Sequence, residues 1–250
     1  TTLLDGRVLI AGGSTIGDNG PTDLASAEIL DREANAFVSS PTGLSAARTD
    51  HRALLLPNNN SVLIFGGTSQ GTATASAELY VPAGGSSQTG EFQTTGSMAT
   101  ARSSAAASVS LADGLLLVAG GTDSDRNTLA SSELYRFATV KTDAPDYAPG
   151  STVTITGSGW QPGETVIFQL VEAPLVDTHP LLHATADASG NILNNDFSPD
   201  FHDANIRFYL SAVGQVSGFA AQTTFTDAVT ATITVTKKLT PNGIAMSLKS

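Results

Sequence analysis

Residues 5–13 read Asp5-Gly-Arg-Val-Leu-Ile-Ala-Gly-Gly13, and the phrase returns as Asn60-Ser-Val-Leu-Ile-Phe-Gly-Gly67 and Asp113-Gly-Leu-Leu-Leu-Val-Ala-Gly-Gly121. The glycine pairs end at 13, 67 and 121, a period of 54 residues. Each Val-Leu-Ile-type run is short, apolar and bounded by turn residues, which predicts a strand buried on both faces. Gly12-Gly13, Gly66-Gly67 and Gly120-Gly121 end those strands, where close backbone approach or positive φ is expected. A second phrase follows each pair: Ser26-Ala-Glu-Ile-Leu30, Ser76-Ala-Glu-Leu-Tyr80 and Ser131-Ser-Glu-Leu-Tyr135. Its polar–apolar alternation predicts a half-buried strand. Ala47-Arg48, followed by His51, and Ala101-Arg102 link the units, again 54 apart. Asp5-Gly6, Asp113-Gly114 and Pro57-Asn-Asn-Asn60 read as tight turns. Each unit therefore encodes about four short antiparallel strands, and a unit of this size must stack on neighbours to bury its faces.

Apolar strand, Gly-Gly, Ser-Ala-Glu-Leu-Tyr, an aromatic and an Arg-x-x-His linker together resemble kelch-type repeats over about residues 1–137. The resemblance implies a β-propeller built of four-stranded blades. The chain departs from the kelch pattern in three places. Phe37 and Phe92 stand where a tryptophan is usual, Ala105 stands where the first linker has His51, and the first unit lacks most of its leading strand. About three blades do not close a propeller, so the chain is expected to be the C-terminal part of a longer one.

After Phe137 the composition changes. A proline-rich junction, Thr142-Asp-Ala-Pro-Asp-Tyr-Ala-Pro-Gly150, leads into alternating strands. Strands are predicted at 151–156, 165–172, 181–187, 191–197, 206–212 and 220–226, with Val166, Phe168 and Leu170 on one face. That spacing predicts a β-sandwich. The string from Thr142 to Val166 also resembles the opening of an immunoglobulin-like module repeated in large bacterial secreted and surface proteins. The fold expected is all-β: a partial kelch-type propeller over residues 1–138 and an immunoglobulin-like sandwich over 139–228. Residues 229–250 would be a final strand or the start of a further module. Trp160, the single tryptophan, is expected in the sandwich core.

Composition narrows function. The 250 residues contain no cysteine, which removes disulfides, thiolate metal sites and cysteine nucleophiles. A net charge of -11 argues against nucleic acid as a partner, and no apolar run is long enough to span a membrane. No leader precedes Thr1 within these residues. A surface of serine, threonine, alanine and glycine suits an extracellular or cell-surface setting. We expect no nucleophile elbow, phosphate loop or dinucleotide loop, and no cofactor.

The candidate sites are few. Glu28, Glu78, Glu133, Arg48, Arg102 and His51 recur with the repeat and are expected to hold blades together through buried ion pairs or backbone hydrogen bonds. Asp123, Asp125 and Asn127 match the first half of a calcium loop. Thr128 stands where that loop needs glycine and Leu134 where it needs glutamate, so an exposed acidic hairpin is expected instead. His179 and His183 are four apart, but Pro180 and a strand pattern separate their side chains. His202-Asp203 closes the acidic stretch 196–203, which could take a cation or form a solvated loop. The function expected is non-catalytic: an extracellular binding or adhesion fragment with a protein or glycan ligand at the loops 14–23, 69–74 and 122–129. The domain order also resembles that of galactose oxidase-like copper radical oxidases. Their tyrosine–cysteine cross-link would have to lie outside this chain.

Overall fold

The computed structural model describes the whole chain except residues 19, 32–34, 83–89, 111–113, 204, 228–233, 241–242 and 250. For residues 108–110, 234–240 and 243–249 it describes the backbone alone. The predicted turn residue Asp113 and the strand start at 229–233 lie outside the described residues.

The protein is all-β, a partial propeller joined to a β-sandwich. Three antiparallel sheets form the propeller part. The first pairs Val8–Ala11 with Ala27–Asp31, and that strand with Ala36–Ser39. The second is a complete four-stranded blade in the order Glu91–Thr94, Ala77–Val81, Val62–Phe65, Arg52–Leu55. The third contains Ala106–Ser110, Leu115–Ala119 and Ser132–Arg136. Among the described residues, four paired strands per unit are thus realised in the second sheet, and three in the first and third. After Arg136 the chain turns into the sandwich.

The expectation of burial on both faces holds for the second apolar run alone: Val8–Ala11 lies at the edge of its sheet, and Ile10 and Leu117 of the first and third runs are 46% and 41% exposed. Val62, Leu63, Ile64 and Phe65 are all buried, so this strand packs on both faces. Leu9, Ile29, Val62, Ile64 and Tyr80 pack between the first and second sheets. Leu63, Phe65, Leu116, Val118 and Phe137 pack between the second and third. Each sheet completes its core only with its neighbour, as stacked repeats require. Tyr80 is fully buried and packs against Phe92 with the rings tilted and their centroids 5.2 Å apart, whereas Phe37 is 60 % exposed.

The sandwich has a three-stranded sheet of Lys141–Thr142, Val153–Gly157 and Ile192–Phe197. Its five-stranded partner runs Asp146–Tyr147, Ala220–Asp227, Ile206–Gly214, Thr165–Ala173, Leu182–Thr185. The main strands fall where alternation predicts them. Phe168, Phe197, Phe208 and Phe225 fill the space between the sheets, with Phe208 and Phe225 stacked at 4.9 Å. Trp160 is buried in the same core, and its indole N–H donates to the Thr139 carbonyl at 3.1 Å. Thr234–Thr240 and Gly243–Lys249 pair only with each other among the described residues, so they belong to neither sandwich sheet.

Candidate functional site

The recurring charged residues come first. Arg48 is fully buried. Its guanidinium donates to Gly66 O and Ser76 O, both at 3.1 Å, to Ser76 Oγ at 2.8 Å and to Glu78 Oε1 at 2.9 Å. Glu78 Oε2 accepts the Ser45 N–H at 2.8 Å. Fifty-four residues on, Arg102 repeats the set with Gly120 O, Ser131 O, Ser131 Oγ and Glu133 Oε1. Glu133 accepts the N–H groups of Ala99 and Thr100.

The arginine backbones complete the joint. Arg48 O accepts the Gly13 N–H at 2.8 Å and Arg102 O the Gly67 N–H at 2.9 Å. Each arginine therefore ties the glycine pair of one sheet, through its carbonyl, to the glycine, serine and glutamate of the next, through its side chain. Gly66 sits at φ 64°, and a Cβ there would lie 2.4 Å from Arg102 O, so only glycine fits. Glu28 departs from the expectation. It is exposed and makes no ion pair among the described residues. His51 packs beside Gly12 and Gly67. Burial, and then the nearby Arg48 charge, pull its pKa down. Arg48, Glu78, Arg102 and Glu133 are thus consumed in holding sheets together.

The three loops expected to bind line up along one side. Ser14–Gly17 and Gly20–Asp23 form an exposed hairpin, and Thr68–Ser69 with Thr72–Ala73 a smaller one. Gln70 N donates to Asp23 Oδ2 at 2.8 Å, and Ala73 N donates to Ser124 Oγ at 3.1 Å. Each hairpin is thus fastened to the next. Gly67-Thr-Ser-Gln-Gly71 has the Gly-x-Ser-x-Gly spacing of a nucleophile elbow, contrary to the expectation of none. Here the string forms the second hairpin turn, with no helix after it, so the serine is not held as an elbow holds it. In the third loop, Asp123 Oδ1 accepts the N–H groups of Asp125 and Asn127, and Asp123 Oδ2 accepts Asn127 Nδ2. The turn's own donors occupy both carboxylate oxygens. They also hold the Asp123 pKa down, the Asn127 side chain contributing most.

Sequence reasoning missed the joint between propeller and sandwich. The turn Pro57-Asn58-Asn59-Asn60 closes the hairpin of the second blade, with Asn58 and Asn60 in the left-handed region at φ 54° and 60°. Asn59 and Asn60 are buried, and they bond outside their own sheet. Asn59 Nδ2 donates to Ala138 O at 2.7 Å and to Ala220 O at 2.8 Å. Asn60 Nδ2 donates to Gln222 Oε1 at 2.7 Å. Main-chain bonds from Val140 N to Asn58 O and from Gln222 N to Asn59 O complete the dock. Nothing local predicts partners some 160 positions away. The one available signal was three consecutive asparagines, more amide than a hairpin turn needs.

Beside this dock lies an open cleft of about 430 Å³. Tyr135, Phe137 and Phe219 supply aromatic surface to it, and Gln93, Thr94 and Ser217 supply amide and hydroxyl groups. Arg136 is the one charged residue in its wall. Tyr135 Oη is fixed by Thr95 Oγ1 at 2.9 Å. The cleft is within the volume range of small-molecule and oligomer sites, and its mix of aromatic faces with a few neutral polar groups is typical of them.

The histidines separate in the structure. His183 and His202 are exposed, and His179 is turned inward onto Phe197 at 5.1 Å and Phe208 at 5.5 Å. The expected separation of His179 from His183 is what the strand Leu182–Thr185 produces.

No family model and no curated protein matches the sequence. Among solved structures, the chain is similar to YjhT at 10% identity and a TM-score of 0.41, over 99% of this chain and 82% of that one. It is also similar to a fungal alcohol oxidase of the AA5 family in complex with copper, at 17% identity and a TM-score of 0.38. That match covers 90% of this chain and 52% of the oxidase, so the chain spans about half the oxidase's length.

Proposed function

We propose that this chain is a non-catalytic binding fragment of an extracellular or cell-surface protein, in which kelch-type blades form the interaction scaffold and an immunoglobulin-like sandwich is docked against them as a rigid spacer. The observation that carries this reading is the cleft at the joint. It is formed by the second and third sheets together with the Ser217–Ala220 loop of the sandwich, and the asparagine dock fixes its walls. Aromatic faces beside amide and hydroxyl groups, with a single charge, suit an uncharged, hydroxyl-rich ligand, of which a glycan chain is the simplest. Arg48, Glu78, Arg102 and Glu133 are taken up in blade-to-blade bonds, which supports scaffolding as their role.

Calorimetric titration with a panel of neutral oligosaccharides tests the reading. Binding is expected, and Tyr135→Ala or Phe219→Ala should weaken it by at least about tenfold. Binding that both variants leave unchanged would place the ligand elsewhere. A stoichiometric copper radical in the copper-loaded protein would contradict the non-catalytic reading.

A further inference from the structure

The sandwich buries a group of carboxylates that no lysine or arginine pairs with among the described residues. Glu172, at the end of strand Thr165–Ala173, is 1% exposed and lies on the inward face with Val166, Phe168 and Leu170. Asp203 closes the short 3-10 turn Phe201–Asp203 and is 1% exposed. Asp177 and His179 come from the crossover between Ala173 and Leu182. One donor atom from each of Glu172, Asp177, His179 and Asp203 lies within 4.8 Å of all the others. A tetrahedral cation about 2.1 Å from each donor holds the donors about 3.4 Å apart, so the four side chains would have to close in by roughly an ångström to complete the shell.

The cluster is built as a site rather than merely crowded. Each buried carboxylate spends one oxygen on backbone N–H groups and turns the other toward the centre. Glu172 Oε2 accepts Val176 N and Asp177 N, both at 2.8 Å, which leaves Oε1 facing His179 Nε2 at 2.8 Å. Asp203 Oδ2 accepts Asp200 N at 2.7 Å, and its buried Oδ1 has no hydrogen-bond partner. A buried carboxylate oxygen with no donor is costly. The same residue's second oxygen shows that the backbone could have supplied one. His179 Nε2 also lies 3.3 Å from Asp177 Oδ1, and its ring is held edge-on to Phe197 and tilted on Phe208. Close by, Asp227 is fully buried with both oxygens unpartnered, and its carbonyl accepts the Asn205 N–H at 2.6 Å. Among the described residues no lysine or arginine forms an ion pair with any of these acids.

We propose that Glu172, Asp177, His179 and Asp203 bind one first-row divalent cation, zinc or manganese, which pins the 174–181 crossover and the Phe201–Asp203 turn to the sandwich sheet. The donor set selects the class. Calcium and magnesium take oxygen alone, whereas an imidazole nitrogen among carboxylates suits zinc or manganese. Asp177 is the exposed member and gives the ion its way in.

The test uses tag-free protein stripped with a chelator, then titrated separately with zinc, manganese and calcium chloride. Bound metal is counted by elemental analysis and melting is followed in parallel. One zinc or manganese per chain is expected, with a rise in melting midpoint of more than about 4 °C at saturation. Asp177→Asn, at an exposed position that leaves the core intact, should weaken binding by at least about tenfold. Asp203→Asn should abolish the metal-dependent rise while melting, without metal, no lower than the wild-type apoprotein. Asp123→Asn, in the propeller hairpin, should bind as wild type does. Failure to retain either metal at one per chain overturns the proposal. So does unchanged binding in both Asp177→Asn and Asp203→Asn, or calcium-only binding that His179→Gln leaves unaffected.

Discussion

Glu78 in the propeller and Glu172 in the sandwich pose the same physical problem with different solutions. Each is a carboxylate buried on a strand, 3% and 1% exposed. Glu78 meets the guanidinium of Arg48, which is buried with it and makes further bonds to the sheet. Glu172 meets backbone N–H groups and one imidazole, and Asp203 and Asp227 beside it meet still less. Burying an ion pair is tolerable when its remaining donors and acceptors are satisfied, and removing one partner is then severe. The propeller therefore carries its counter-ion in its own sequence, once per repeat. The sandwich carries acids in excess of cations, and on our account it takes the missing charge from solution.

The largest effect expected from this contrast is on the propeller side. Arg48→Ala should cost about 3–5 kcal/mol, because Glu78 would be left charged and buried while Gly66 O and Ser76 O lose their donor. Urea denaturation reads it directly. An unchanged midpoint would mean the repeat arginines are ornamental. Next is the joint. Asn59→Ala removes both bonds to the sandwich and the acceptor for Ser61 N. A loss of about 2–3 kcal/mol is expected, with faster hydrogen exchange at Gln222 N–H, which bonds to Asn59 O. Exchange at Gln222 that stays as slow as in the wild type would show that the two halves are held by something else.

A third substitution should act in the opposite direction. Asp227→Asn removes a buried carboxylate that no group among the described residues compensates, so a gain on the order of 1 kcal/mol is expected where the arginine variant loses several. Thermal melts of the two variants side by side give the signs, and a loss in Asp227→Asn would erase the contrast. The smallest effect is a pH dependence confined to the propeller. Burial, and then Arg48, depress the His51 pKa below the ordinary imidazole value of about 6.5. The unfolded chain thus takes up this proton before the folded one does. Its contribution is complete above about pH 6.5 and is lost as pH falls from there toward the lowered folded value. His51→Gln should flatten the urea midpoint between about pH 7.5 and 5.5, and an undiminished slope in the variant would assign the titration elsewhere.

These contrasts also explain what was legible in the sequence. The Arg48–Glu78 and Arg102–Glu133 pairs announce themselves because the arginines recur 54 apart and the glutamates 55 apart, and chance does not preserve such a register. Glu28 carries the same letter, but it is exposed and makes no ion pair among the described residues. The sandwich strands were readable from alternation, and so, in part, was the acidic cluster. Val166, Phe168 and Leu170 define an inward face, and one more step of two reaches Glu172. The same step from Phe225 reaches Asp227. Asp177, His179 and Asp203 come from a crossover and a turn, which no periodicity links to that strand. The four-residue spacing of His179 and His183 was rightly set aside, since the two side chains separate, but nothing in it pointed to Glu172. The asparagine dock was hidden for a related reason: its acceptors lie in the sandwich, and only folding brings them together.

The most direct test of the contrast is residue-resolved hydrogen exchange on the whole protein, with zinc present and after chelation. Our account predicts that chelation accelerates exchange at the sandwich amides that hold the cluster, those of Val176, Asp177 and Asp200, while the propeller amides of Gly13, Ser45 and Gly67 exchange as before. Identical exchange in both conditions, or equal acceleration in both halves, would contradict it.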